Sequence, residues 1–331
     1  MTARTLLRLK NTNEINSFVI KTLALPGEYS PILAKAAKHN TYVETISNKA
    51  DNLHLKVKGN YVETLPLEYY HHIKHMIKKQ RLGCVDLIGD ITEEDFYGKI
   101  KGLYTIPWTG KDGVEGKFHY LVVGILFRNK MLPFYATIMH LGESKAELLG
   151  KAITLYQELG LKINKIMLDR GFYSGAIIDE LKMRKVKYLI FVPKKTLFRC
   201  MLEATNESVI IEHEIKYNAN FTKNKAKTNI ALVKNVLDYD WVFATNIMLK
   251  DIKRYVPIYR KRWNIETMFR VHDEARIKTK SKVPIIRLFY FLISTLLVFL
   301  WNLHEKDKIT FKLFIITLFE ESENIAPSKT V

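Results

Sequence analysis

The chain has 331 residues, 47% hydrophobic and 26% charged, which excludes a disordered polypeptide and suits a soluble core spread over two or three domains. A net charge of +18 and a pI near 9.6 point to a polyanionic partner, nucleic acid or an anionic membrane surface. The two cysteines, Cys84 and Cys200, lack metal-type spacing and argue against a disulfide scaffold, as expected of a reduced intracellular protein.

No signal peptide is expected, because Leu6 and Leu7 sit among Arg4, Arg8 and Lys10. Residues 1–80 read as helical, with apolar periodicity through Ile15–Leu25, Ile32–Ile46 and Tyr69–Ile77. Pro26-Gly27 and Lys58-Gly59-Asn60 are turn signals. Leu33–Ile46, turning at His39-Asn40-Thr41, could open a helix-turn-helix, and the region reads as DNA-contacting or as a plain packing domain. The pattern changes at Gly83. Cys84–Asp90 reads as a buried strand ending in an acid. A Gly- and Lys-rich loop follows, then strands Phe118–Phe127 and Leu132–Met139, completing a three-stranded meander. Glu143–Leu159 reads as an amphipathic helix and Ile163–Leu168 as a strand ending at Asp169. A helix over Ser174–Lys185 and the strand Tyr188–Val192 complete a mixed sheet with helices on its faces.

Residues from about 193 to 249 read as a β-rich insertion, with strands at Ser208–Tyr217, Thr228–Val236 and Trp241–Thr245 and a basic loop of Lys223, Lys225 and Lys227. One long helix is expected from Lys250 through Glu266 to Ile277, carrying Lys253, Lys261, Arg270, Lys278 and other cations that would repel one another without an anionic partner. Leu288–Leu303 is apolar but shorter than the roughly 20 residues of a membrane span, and reads as a buried core helix. A tail that frays after Ile325 is expected to close the chain.

Asp90 and Asp169 close two strands separated by one helical crossover, and open α/β sheets place their sites at such carboxyl ends. Tyr259, Arg262 and Glu266 stand at i, i+3 and i+7, on one face of a helix. An ion-paired solvated face would show the same spacing. Carboxylates without His or Cys clusters favour Mg2+ or Mn2+. Two such ions, bridged by Asp90 and flanked by Asp169 and Glu266, would suit phosphoryl transfer. A Gly-rich nucleotide loop and an H-E-x-x-H pair are both missing, and Ser174 has no G-x-S-x-G setting.

D-I-T-E-E-D-F-Y-G-K around Asp90, M-L-D-R-G-F-Y around Asp169, and W-V-F-A-T-N followed by Y-R-K-R-W-N-I-E-T-M-F-R come in a fixed order. From about Gly83 to Leu303 the chain resembles the DDE transposases of insertion sequences that cut their ends through DNA hairpins. The resemblance implies a ribonuclease H-like catalytic core (81–305) interrupted by the β insertion, preceded by helical DNA-binding elements (1–80) and followed by a tail (306–331). It implies Asp90, Asp169 and Glu266 as the metal-binding triad, with Tyr259 and Arg262 holding a phosphate. Trp241 falls where related enzymes stack a flipped base, although a core tryptophan would also fit, and Trp263 reads as core or interface packing. The implied partners are double-stranded DNA, as terminal inverted repeats and target, and a second copy in the synaptic complex, with no membrane and a cytoplasmic, nucleoid-associated location. The alternatives are an inactive DNA-binding derivative and a structure-specific nuclease. One position departs from the family: Asp273 stands where a lysine is usual, and Arg270 or Lys278 would have to compensate.

Overall fold

Runs rich in Val, Ile and aromatic residues form strands, because branched and flat side chains pack well on a pleated surface. The computed structural model describes residues 13–19, 21–22, 29–99, 102–219, 222–274, 276–303 and 309–325. Nine strands among the described residues form one mixed sheet. β1 (Cys84–Phe96), β3 (Gly116–Phe127) and β4 (Lys130–Met139) make the antiparallel meander, and the short β2 (Ile106–Pro107) pairs with β3. The β3–β4 turn uses positive φ at Arg128 (49°) and Asn129 (60°), matching the strands' own twist. β5 (Lys162–Leu168) lies parallel to β1, and β6 (Tyr188–Phe191) parallel to β5. β9 (Tyr239–Thr245) pairs antiparallel with β6, then come β8 (Thr222–Val236) and β7 (Val209–Ala219). The expected β-rich insertion therefore extends the core sheet directly.

Residues 13–19 form α1, followed by α2 (Ser30–Lys38), α3 (Val43–Ile46), α4 (Lys49–Lys58) and α5 (Thr64–Lys79). α6 (Lys145–Gln157) and α7 (Gly175–Met183) start at Ser144 and Ser174, whose hydroxyls accept from the backbone N–H three residues on. Leu149 of α6 packs beside Gly89 of β1. On the opposite face lies α11 (Pro284–Leu303), whose Phe291 stacks on Tyr120 of β3 at 4.0 Å between centroids. α11 is long and apolar enough to cross a membrane, but 83% of its apolar window is buried in the protein, matching the core helix expected. The N-terminal helices join the same core: Phe18 stacks on Phe289, and Tyr69 and Tyr70 of α5 donate to the carbonyls of Pro133 and Leu155.

Several expectations are corrected. β1 does not end at Asp90 but runs six residues further to Phe96, paired throughout with β3. Lys117 bonds Glu93 (2.6 Å) and Arg287 bonds Glu94 (2.6 Å), so partners outside the segment hold an acidic run in a strand. Lys223, Lys225 and Lys227 lie on β8, not in a loop. Two helices were not expected: α8 (Thr196–Ala204), seated by Phe198 and Leu202, and α12 (Phe311–Ile325), inside the presumed tail. Fraying past Ile325 falls outside the described residues. No helix-turn-helix forms at Leu33–Ile46, since α3 is a four-residue turn. Its Val43 N–H donates to the Lys278 carbonyl, tying it to the segment after Glu274.

Candidate active site

In the parallel pair β1–β5, Gly89 stands opposite Leu168. β5 stops there while β1 continues, so the next residues, Asp90 and Asp169, are neighbours at the end of the parallel ladder. Glu266 arrives from the other side of the chain. The single long helix expected there is broken. A 3-10 turn (Ile252–Arg254) leads into α9 (Tyr255–Arg260), and α10 (Trp263–Glu274) follows after Lys261-Arg262. At the break Arg262 N–H donates to the Tyr259 carbonyl and Ile265 N–H to that of Arg262, both 2.8 Å, the tighter i to i+3 spacing. This turn directs Arg262 inward.

Arg262 is the centre of the arrangement and is only 5% exposed. Its Nη1 donates to Asp90 Oδ2 at 2.8 Å and its Nη2 to Glu266 Oε1 at 2.5 Å, with Asp169 Oδ1 4.0 Å from Nη2. Tyr259 Oη donates to Asp169 Oδ1 at 3.1 Å, and Ile91 N–H to Asp90 Oδ1 at 2.8 Å. Burial pushes the Asp90 carboxyl up to about 6, against the pull of Arg262 and the Ile91 N–H, with Asp169 and Glu266 adding to the rise. Burial likewise drives the Tyr259 hydroxyl far above its ordinary range, so it stays a donor. Burial opposes the charge on Arg262, but Tyr259 and the three carboxylates outweigh it and raise its pKa.

As these side chains lie, no three His, Cys, Asp or Glu among the described residues close around a metal ion. The positive charge among them is the Arg262 guanidinium. Three hard oxygen donors converge on one positive charge, and a divalent oxygen-seeking ion fits that donor set once the arginine withdraws. Arg262 Nε is buried without a partner, so part of the guanidinium's hydrogen-bonding capacity is unused here.

The ring of Tyr259 sits among Phe243 (5.2 Å), Phe191 (5.6 Å) and Trp241 (6.4 Å). Trp241 is half-buried, with its indole N–H donating to the Val236 carbonyl and Phe243 stacked at 6.0 Å. The other candidate cations are not drawn to the carboxylates. Lys253, Lys261 and Arg270 are exposed, and Lys278 lies beyond α10, its backbone N–H donating to the Thr41 carbonyl. Trp263, expected in core or interface packing, is 45% exposed under the Arg260 guanidinium. Asp273 lies 3.7 Å from both His272 Nδ1 and Arg276 Nε. Two neighbours of the site went unread in the sequence: Phe191, against Tyr259, and Lys145, whose ammonium donates to the Gly171 carbonyl beside Asp169 at 3.1 Å. Neither lies in a motif, and only the fold brings them close.

Carboxylates on two adjacent parallel strands and on a later helix, over a mixed sheet flanked by helices, define a ribonuclease H-like core of the phosphoryl-transfer class. The model of the transposase DDE domain matches residues 107–298, more than half of the chain, and the chain belongs to that family. The match spans Asp169, Tyr259, Arg262 and Glu266 but begins after Asp90, which is placed by the strand register and its bond to Arg262. The fold is similar to that of a piggyBac transposase, solved by cryo-EM as a synaptic complex with hairpin DNA: TM-score 0.53, 12% identity, covering 97% of this chain and 80% of that one. None of the curated proteins matches this chain. The chain is a DNA transposase, of a family that works with divalent metal ions.

Proposed function

We propose that this transposase excises a DNA element and reinserts it, using Asp90, Asp169 and Glu266 to hold two Mg2+ or Mn2+ ions. The observation that carries the reading is the convergence of these carboxylates on the Arg262 guanidinium at the end of the β1–β5 ladder. When bound, ions in such a pair activate an attacking oxygen and stabilise the leaving one. The protein's own contribution is positioning. Tyr259, held by its aromatic neighbours, offers its hydroxyl beside Asp169. Arg262 can exchange a carboxylate for a phosphate without leaving the turn that carries it, and its planar fork suits two phosphate oxygens.

In the proposed sequence, water attacks the scissile phosphate and frees a 3′ hydroxyl. That hydroxyl attacks the opposite strand and closes a hairpin, a second water opens it, and the 3′ hydroxyl joins target DNA. The piggyBac transposase is seen with hairpin DNA, which supports the hairpin step. The two element ends call for at least two copies of the chain. The net charge of +18 supports tight DNA binding, with Lys253, Lys261, Arg270 and Lys278 at the backbone and the half-buried Trp241 as a base platform. Residues 1–80 would add DNA contacts, and the enzyme would act on chromosomal DNA in the cytoplasm.

The test is incubation of Mn2+ and the protein with duplex carrying the inverted repeats that flank the coding region. A hairpin on a denaturing gel, lost on Asp90→Ala, Asp169→Ala or Glu266→Ala, supports the reading. Binding without any cleavage would favour the inactive derivative, and nicks never rejoined would favour the nuclease.

A further inference from the structure

Beside the carboxylate site lies a cavity of about 560 Å³ whose wall includes Arg170, Phe191, Lys194, Lys195, Arg199 and Tyr239. It adjoins the site on two sides. Arg170 follows Asp169 directly, and Phe191 packs on Tyr259 at 5.6 Å. Its charge is unbalanced. Lys234, also on the wall, is neutralised by Asp240 at 3.1 Å, whereas Arg170, Lys195 and Arg199 are exposed and have no ion pair among the described residues. Lys194 rests its ammonium over the Tyr239 ring, 3.3 Å from the centroid, and shares the field of Asp240 with Lys234. Glu203 is the remaining acid on the wall.

Four cations lining one concavity repel one another, and three of them have no ion pair among the described residues. A phosphodiester chain neutralises such a set by ion pairing and counterion release. The aromatic surfaces of Tyr239 and Phe191 tolerate any base and suit a single strand better than a rigid duplex. We infer that this cavity binds the backbone of a single DNA strand running on from the scissile phosphate, as a second phosphate site distinct from the Tyr259–Arg262 grip. The inference rests on the transposase reading and assigns Arg170, Lys194, Lys195 and Arg199 to it.

The test compares two fluorescent duplexes bearing the same repeat end, one blunt and one with a four-nucleotide single-stranded extension past the scissile position. Anisotropy is read with the full chain in EDTA, so that no strand is cut. The parent should bind the extended duplex more tightly, with a steeper fall in affinity as salt rises. The Lys195→Gln/Arg199→Gln double variant, altered only at exposed positions, should lose that preference. Its salt slope on the extended duplex should become shallower by about 1.4, roughly 0.7 for each single-strand phosphate released, while blunt-duplex affinity stays unchanged. No preference in the parent, or equal weakening on both duplexes, would overturn the cavity assignment and leave the transposase reading intact. A parent that binds neither duplex would instead sink the transposase reading and this inference with it.

Discussion

Replacing Arg262 with alanine should expose how far the carboxylates depend on one buried charge. Arg262 is 5% exposed and bonds Asp90, whose side chain is 17% exposed, so this contact is a largely buried ion pair. Removing one partner of such a pair costs about 3–5 kcal/mol. The contact with Glu266, more than half exposed, adds little. The loss should depend on pH. The Asp90 carboxyl is already held at about 6, above its ordinary 3.8, so in the parent this group favours folding at low pH and loses that contribution as pH rises through 6. Without Arg262 its pKa climbs further, and the gap between variant and parent should widen above pH 6 by up to about 1.4 kcal/mol per pH unit. With an unfolding entropy of about 2.1 cal/mol/K per residue, the full cost lowers Tm by about 4–7 °C at pH 8. Differential scanning calorimetry at pH 5 and pH 8 reads this directly. Mn2+ should raise the Tm of Arg262→Ala more than that of the parent, because it replaces the missing positive charge. An equal loss at both pH values, or an equal Mn2+ effect on both proteins, would refute the reasoning.

Three further outcomes follow from the packing. Gly89→Ala should destabilise by about 1–3 kcal/mol in chemical denaturation, because an added Cβ would lie 2.8 Å from Leu168 Cδ2 in a core also walled by Leu149 and Val123; an unchanged midpoint would mean that the core yields at no cost. His272 is buried, and burial lowers its pKa, so it contributes stability above about pH 6.5 that is lost as pH falls. His272→Phe should flatten that acid limb in a pH series of unfolding midpoints, and an unchanged limb would place the loss elsewhere. Tyr259→Phe keeps the ring but removes the bond to Asp169, so Tm should barely move, by the worth of one hydrogen bond, about 0.5–1.5 kcal/mol. Strand nicking should slow clearly, and unchanged nicking would remove the hydroxyl from the phosphate grip.

The mixed sheet, the meander and the buried helix at Pro284 were legible because their apolar periods are long and bounded by turn residues. Asp90 and Asp169 could be picked out because each follows an apolar run, although the continuation of β1 past Asp90 was not visible. The acidic run T-E-E-D is held in the strand by Lys117 and Arg287, which bond Glu93 and Glu94 from far away in the chain. The lysines of β8 misled in the same way, since their strand is set by pairing with β7 and by a buried face on α7. The spacing of Tyr259, Arg262 and Glu266 suggested one continuous helix. The break at Lys261-Arg262 brings the arginine into the site instead, and local propensity carries no trace of it. Phe191 and Lys145 reach the site only through the packing of distant segments, so periodicity could not find them.

The most direct test is a crystal structure of the protein with repeat-end DNA and Mn2+, read by anomalous scattering from manganese. The account predicts two peaks roughly 3.5–4 Å apart within ligand reach of Asp90, Asp169 and Glu266, with the Arg262 guanidinium moved from the carboxylates onto a phosphate. DNA bound with no manganese at these residues, and Arg262 still joined to Asp90 and Glu266, would contradict it.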